Sequence, residues 1–195
     1  AQPPYMGISC LIVEKPTVGL TVGQKFDKLG YRGVDTCELV FQDARVSALN
    51  LVGGEEGRGF GQVMSGLEGG RINIAARAVG VATAAFEAAI KYAQQRKAFG
   101  EPIARHQAIQ LKLADMATKI EAARLLTLSA ASALDSGERA TLKAAHAKRF
   151  AADMCMEVTT DAVQVLGGYG YSEEYPVARR MRGAKIYQIF EGTSQ

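Results

Sequence analysis

The sequence predicts a mainly α-helical fold in which a four-helix up-down bundle follows a partial β-domain, which makes the chain α+β overall. The first sixty residues are rich in β-branched residues and turn formers, whereas apolar residues recur at helical spacing from about residue 70 onward. Four glycines, Gly53, Gly54, Gly57 and Gly59, separate the two regions. We therefore predict a partial β-domain over residues 1–55 and a helical bundle over residues 56–195, truncated after Gln195.

The β part is predicted to contain two strands. The β-branched apolar run at residues 8–14 is typical of a strand, and Pro16 and Gly19 end it. Residues 38–41 form a second candidate strand behind a turn at residues 30–35. We expect the long loop at residues 50–61 to lead from this sheet into the bundle.

The bundle is predicted from helical periodicity, with each helix ended by glycine, proline or a polar cluster. The expected helices are residues 70–96, 103–134, 138–166 and 176–190. The stripe of the first contains Ile72, Ala75, Ala76, Val79, Ala82, Phe86, Ala89 and Ala93. Because this helix is also apolar on its other faces, we expect it to be buried between close neighbours. Short connections between long helices favour an up-down bundle.

Composition excludes several classes of function. The net charge is only +3, and its positive and negative residues are interleaved, so a nucleic-acid surface is not indicated. The three cysteines are far apart and only two histidines are present, which favours a reduced intracellular protein without a metal site. No run approaches the ~20 uncharged residues of a membrane span, so no integral membrane segment is expected. The chain ends in what resembles a helix start, which leads us to expect a fragment.

The last eleven residues contain the candidate catalytic group, Glu191. It follows an apolar run comprising Ile186, Tyr187, Ile189 and Phe190. Apolar neighbours desolvate a carboxylate and raise its basicity, as a general base requires. Gly192 allows a sharp turn directly after it. The alternative from these residues alone is an ordinary exposed glutamate at a helix end.

Three other segments are candidate ligand sites, each with a structural alternative. Residues 96–102 and Gln107 offer an arginine fork and a phenylalanine ring suited to a diphosphate, or form a solvated loop. Residues 164–171 contain three glycines, whose amides would be free to donate to a ligand. The alternative is that these glycines simply end a helix. Glu68 and Arg71 lie at the predicted start of the first helix and suit an anionic, chain-like ligand. The alternative is an ordinary helix start without a ligand. His106 and His146 are interpreted as structural.

Taken together, these motifs resemble the acyl-CoA dehydrogenase family over essentially the whole chain. The matching segments are residues 92–103 (YAQQRKAFGEPI), 113–116 (LADM), 160–170 (TDAVQVLGGYG), 175–176 (YP) and 184–194 (AKIYQIFEGTS). Upstream, residues 28–41 (KLGYRGVDTCELVF) resemble the middle β-domain of that family. Several motifs in the right order are far more specific than any one of them.

The resemblance implies a flavoenzyme that oxidises acyl-CoA thioesters to trans-2-enoyl-CoA. It makes Glu191 the base that removes the α-proton while a hydride leaves the β-carbon for the flavin N5. The Glu191 amide and a flavin ribityl hydroxyl would polarise the thioester carbonyl. The implied FAD contacts, across a subunit interface, are Arg96, Phe99, Gln107, Gln164, Gly167, Gly168, Thr193 and Gln195. The implied substrate contacts are Glu68, Arg71, Phe190 and Gly192, with Arg139 as a weaker candidate.

Further expectations also follow from the resemblance. The partners would be an acyl-CoA, an electron-transfer flavoprotein and identical subunits in a homotetramer, a dimer of dimers. The location would be the cytoplasm in a bacterium or the mitochondrial matrix in a eukaryote. Some relatives carry the base at the position of Gly70, which leaves Glu191 as the matching base here. Two departures are Gly183 in place of an aspartate and Phe190 in place of a tyrosine.

Three alternatives to this dehydrogenase remain open at this point. An acyl-CoA oxidase would share the architecture and give its electrons to oxygen. A non-catalytic helical oligomerisation module would bind no flavin. A relative acting on other carbon acids, such as nitroalkanes, would use the same scaffold. Acyl-chain length and branching depend on helices outside this chain.

Overall fold

The computed structural model describes residues 3–195, which divide into two compact units. The first comprises the residues up to Lys28 together with Arg32–Leu67, and the second comprises Leu29–Tyr31 and Glu68–Gln195. The division falls within a long helix rather than at its start. The predicted domain boundary after residue 55 stays a prediction.

The first unit contains one antiparallel pair of strands, β1 (Leu20–Lys25) and β2 (Cys37–Phe41). The strand predicted at residues 38–41 is confirmed as β2, whereas β1 was not predicted. The strand predicted at residues 8–14 is wrong, since only Leu11 in it forms a β-bridge, with Leu51. A β-branched run needs a neighbouring strand to pair with, and this run lies beside a loop.

The helices of the bundle are separated by short connections. They are α1 (Gly59–Gln95), α2 (Gln107–Asp135), α3 (Thr141–Leu166), α4 (Gly168–Tyr171) and α5 (Pro176–Ala184). A small hairpin of β3 (Lys97–Ala98) and β4 (Glu101–Pro102) joins α1 to α2. Helix α2 packs on α3, and α3 packs on α5. The mainly helical fold predicted from periodicity is therefore confirmed.

The largest differences from the predicted helix ends are at the start of α1 and the end of α5, while α2 and α3 begin four and three residues later than expected. Helix α1 begins at Gly59 rather than at residue 70, because its glycine-rich first turns read as a loop in the sequence. Helix α5 ends at Ala184, and a 3-10 turn, Lys185–Gln188, replaces the expected continuation to Phe190. The short helix α4 was not predicted. These differences matter at the C-terminal end, where the tighter turn sets the direction of the segment that carries Glu191.

The core of the bundle is built largely from alanine. Fully buried alanines on α1 are Ala75, Ala78, Ala82, Ala85, Ala89 and Ala93, and on α3 they are Ala144, Ala147, Ala151, Ala152 and Ala162. Small side chains let helix backbones approach closely, so the core consists of closely packed helices rather than of large apolar side chains. Ala76, which was predicted on the buried stripe, is exposed.

Helix α1 is long and apolar enough to meet the length and composition criterion for a membrane-spanning helix. Its most apolar 18-residue window has a mean hydropathy of 1.2. Core helices of soluble proteins meet the same criterion, and the alanines of α1 belong to the bundle core.

Candidate active site

Glu191 lies in a sharp turn that follows the 3-10 segment after α5. Both Glu191 (φ 56°) and Gly192 (φ 95°) have left-handed backbone conformations. Glycine adopts this region freely, whereas a residue with a Cβ pays about 1–2 kcal/mol to do so. The turn is closed by two backbone bonds, in which the Phe190 amide donates to Ile186 O and the Ser194 amide to Gln188 O (3.1 and 3.0 Å). The surrounding structure thus holds Glu191 in an unfavourable conformation.

The carboxylate of Glu191 lies against α1 at Gly70. A Cβ atom at position 70 would be 2.8 Å from Glu191 Oε2 and 3.2 Å from its Cδ, closer than van der Waals contact allows. The Oε2 atom is buried and accepts no hydrogen bond from any residue in the range 3–195. A buried, unpartnered carboxylate oxygen is costly unless a ligand or proton satisfies it. This arrangement suits a group that exchanges a proton with a ligand.

Aromatic rings form a wall beside this turn. The ring centroids of Tyr31, Tyr187 and Phe190 lie 5.9–6.4 Å apart in tilted or edge-to-face pairs. Arg77 Nη1 donates to the Tyr31 hydroxyl at 3.0 Å. Burial raises the pKa of Tyr187 to about 12. Of the apolar residues that precede Glu191, Ile186, Tyr187 and Phe190 pack in or against the core, whereas Ile189 is exposed.

Three cationic side chains donate to backbone carbonyls of the same turn. Arg71 Nε donates to Glu191 O (3.3 Å), Lys148 Nζ to Gly192 O, and Arg149 Nε to Ser194 O (3.0 Å). Arg71 was predicted as a substrate contact, whereas Lys148 and Arg149 were not singled out. The sequence does carry a signal for Lys148, which lies on the alanine stripe of α3 four residues after Ala144.

Glu68 lies in a polar chain with the start of α3. Thr141 Oγ1 donates to Glu68 Oε1 at 2.9 Å, and Arg139 Nε donates to Thr141 Oγ1 at 3.4 Å. The structure thereby brings together two residues for which the resemblance implied a CoA contact. Thr141 was not among the predicted site residues. Its place at the start of a predicted helix is the feature of the sequence that could have identified it. Glu68 and Arg139 thus offer a negative and a positive charge to a polar ligand, with the Thr141 hydroxyl between them.

Three of the expected flavin contacts form a second group beside the C-terminal end of α1. Arg96, Gly167 and Gly168 line a surface pocket of about 510 Å³ together with Tyr92, Ile103, Val165, Leu166 and Tyr169. Arg96 Cζ lies 5.7 Å from the centroid of the Tyr169 ring. An arginine beside a glycine-lined pocket suits a phosphate-bearing ligand. These residues therefore fit part of a dinucleotide such as FAD.

The remaining expected flavin contacts are exposed in this chain. Phe99 is 97% exposed, and its ring forms an edge-to-face pair with that of His106 at a centroid distance of 5.9 Å. Gln107 begins α2, and Gln164 lies in the last turn of α3. Thr193 and Gln195 are also exposed, on the segment after Glu191, apart from the pocket at Arg96. Exposed side chains of this kind are free to contact a ligand or another subunit.

The fold and these two groups define an α-helical bundle domain with a candidate acid–base site. A family model described as "Acyl-CoA dehydrogenase, C-terminal domain" matches residues 57–195. The short-chain specific acyl-CoA dehydrogenase of Megasphaera elsdenii is 54% identical over 189 residues, which is 97% of this chain and 49% of that protein. The chain belongs to the acyl-CoA dehydrogenase family.

Solved structures agree with this assignment. Butyryl-CoA dehydrogenase from Megasphaera elsdenii superimposes with a TM-score of 0.95 at 54% identity, covering 97% of this chain and 49% of that one. The structure titled "PigA with FAD and proline" has a TM-score of 0.93 at 27% identity, with 97% of this chain and 49% of that chain covered. The chain spans about half the length of the curated relatives it matches.

Proposed function

We propose that this chain is the catalytic bundle portion of an FAD-dependent acyl-CoA dehydrogenase that converts acyl-CoA thioesters to trans-2-enoyl-CoA. Glu191 removes the α-proton. The observation that carries this proposal is the buried Oε2 of Glu191, which lies over Gly70 without a hydrogen-bond partner in residues 3–195. A carboxylate without a partner of its own is available to accept a proton from a bound carbon acid.

The surroundings of Glu191 suit an acyl thioester. The ring of Phe190, which packs on the buried Tyr187, would offer an apolar surface to the acyl chain, and Gly192 leaves space next to Glu191. The amide of Glu191 is the expected donor to the thioester carbonyl, where it would stabilise developing enolate charge. Glu68, Arg71 and Arg139 lie on the polar side, where a CoA group would be bound.

FAD, when bound, supplies the acceptor for the hydride that leaves the β-carbon. Arg96, Phe99, Gln107, Gln164, Gly167 and Gly168 would hold its phosphates and adenosine, and Thr193 and Gln195 would contact a neighbouring flavin. Gly70 and Gln95 are 25 residues apart on α1, which at 1.5 Å per residue is about 38 Å. The base and the Arg96 pocket of one chain are therefore far apart, which favours a cofactor shared between subunits of a homotetramer.

The electron acceptor distinguishes the dehydrogenase from an oxidase. The dehydrogenase passes its electrons to an electron-transfer flavoprotein, whereas an oxidase produces hydrogen peroxide from oxygen. The 54% identity to a dehydrogenase favours the former. An assay of peroxide formation by the full-length enzyme, without any acceptor protein, separates the two.

The base assignment is tested with Glu191→Gln in the full-length FAD-bound enzyme. Glutamine keeps the size of the side chain and removes the proton acceptor. We expect anaerobic flavin reduction by butyryl-CoA to slow by at least about a hundredfold. Glu174→Gln, an exposed glutamate before α5, should leave the rate unchanged. Wild-type flavin reduction by Glu191→Gln would contradict the assignment.

A further inference from the structure

Lys148 occupies an unusual place for a lysine. It lies on α3 and is only 3% exposed, in the same helical stripe as the buried alanines Ala144, Ala151 and Ala152. Lysine is almost never this buried unless it is paired. Within residues 3–195 it forms no ion pair with a carboxylate, and its recorded hydrogen bond is to the carbonyl oxygen of Gly192.

The position of Lys148 is unfavourable for stability alone. Burial lowers the pKa of Lys148 below its usual range; Arg71 lowers it further, and Asp153 and Glu191 oppose the shift. A lowered pKa means that the folded protein disfavours the charged form relative to the unfolded chain. An apolar side chain among these alanines would avoid that cost. A role in holding the turn accounts for the lysine better than a role in the core.

The carbonyl that Lys148 binds belongs to the turn that carries Glu191. Glu191 and Gly192 both have positive φ, and for Glu191, which carries a Cβ, this conformation persists only where neighbouring groups enforce it. Arg71 from α1 holds the carbonyl of Glu191, and Lys148 from α3 holds the next one. Side chains from two helices therefore donate hydrogen bonds to consecutive carbonyl groups of the turn. These bonds hold the backbone that places the carboxylate over Gly70.

We propose that Lys148 is a positioning residue for proton abstraction, which holds the Gly192 carbonyl so that the Glu191 carboxylate stays over Gly70. The inference rests on the proposed function, in which Glu191 is the base. Because Lys148 is buried and bonds to a backbone carbonyl, it acts through the turn rather than on a ligand. Its loss should therefore affect the rate of proton removal more than the binding of substrate.

The test uses Lys148→Met in the full-length FAD-bound enzyme. Methionine keeps an unbranched chain and removes the N–H donors and the charge. In anaerobic stopped-flow experiments with butyryl-CoA, we expect the limiting rate of flavin reduction to fall about ten- to a hundredfold, since a displacement of about 1 Å has effects of this size. The half-saturating concentration should change by less than about threefold. Lys148→Arg, which keeps a cationic donor, should retain more of the rate.

Two measurements separate positioning from a merely structural role. The FAD content and the thermal midpoint of Lys148→Met should stay close to wild type, because the variant removes a disfavoured buried charge. Lys143→Met changes an exposed lysine on the same helix and should have no effect. Loss of rate only in proportion to lost FAD or lost folded protein would overturn the proposal, as would equal losses in the methionine and arginine variants.

Glu191→Gln, measured in parallel, keeps the two proposals distinguishable. If Glu191→Gln is slow and Lys148→Met reduces flavin at the wild-type rate, only the positioning role is overturned. If Glu191→Gln itself reduces flavin at the wild-type rate, the base assignment fails and the role of Lys148 fails with it.

Discussion

At the scale of single residues, glycines beside Glu191 leave space for its carboxylate. Gly70 leaves room for the Glu191 carboxylate, and no other residue type fits without displacing Oε2. The turn after Phe190 depends equally on Gly192, whose positive φ lets the chain reverse at once. The position of the carboxylate therefore depends on the absence of a side chain at Gly70 and at Gly192.

Gly70→Ala is expected to separate activity from stability. The new methyl group would displace the carboxylate, so flavin reduction by the full-length enzyme should fall about ten- to a hundredfold. Stability should hold or rise, because alanine is better than glycine in a helix by about 1 kcal/mol. Gly80→Ala on the same helix meets no neighbouring atom and should leave the rate unchanged. Stopped-flow reduction and urea unfolding of both variants check this, and an unaffected rate in Gly70→Ala would contradict it.

The helices form the scaffold that brings α1, α3 and the final turn together. Apolar periodicity predicted most of the buried stripe of α1, but the predicted burial of its other faces is wrong, since Asn73, Gly80 and Glu87 lie on an exposed face. It could not predict that α1 starts at Gly59, because intrinsic propensity disfavours a helix through Gly61, Gly66, Gly69 and Gly70. Nor could it predict the 3-10 turn after α5, because a change of helix type depends on contacts beyond the local sequence.

Overpacking of the alanine interface should destabilise the bundle. Ala82 is fully buried, and its backbone lies beside Cys155 of α3. Ala82→Leu should lower the free energy of unfolding by about 1–3 kcal/mol, because three extra carbons have no space between close helices. Ala76→Leu, on an exposed position of the same helix, should change it by less than about 0.5 kcal/mol. Urea unfolding of the full-length protein measures both, and equal effects would mean that the interface accommodates larger side chains.

At the scale of the whole molecule, the length of α1 separates two kinds of site. Glu191, the proposed base, lies against Gly70 in the first half of α1, and the Arg96 pocket lies past the C-terminal end of that helix. The stretch of α1 between Gly70 and Gln95, about 38 Å long, therefore separates the proposed base from the candidate cofactor pocket. A shared cofactor between subunits would reconcile these two positions, which is why the predicted homotetramer is part of the proposal.

Buried acids should make the protein less stable at alkaline pH. Burial raises the pKa of Cys155 from 9.0 and that of Tyr187 from 10.0, each to about 12. Both groups stay protonated in the folded protein while the unfolded chain loses these protons, so their contribution to stability is lost progressively from about pH 9 to about pH 12. Cys155→Ala should weaken this decline. Unfolding free energies at about pH 8 and about pH 10.5 measure it, and identical declines in both proteins would exclude a contribution from Cys155.

The sequence by itself determined the helical class of the fold, the approximate helices and Glu191 as the candidate base, because periodicity and local motifs are properties of neighbouring residues. Only the tertiary structure decided that Gly70 faces the Glu191 carboxylate and that Lys148 holds the following carbonyl. Each of those contacts joins segments more than 40 residues apart in the chain. Such contacts depend on how the helices pack, and no local pattern records which side chains then meet.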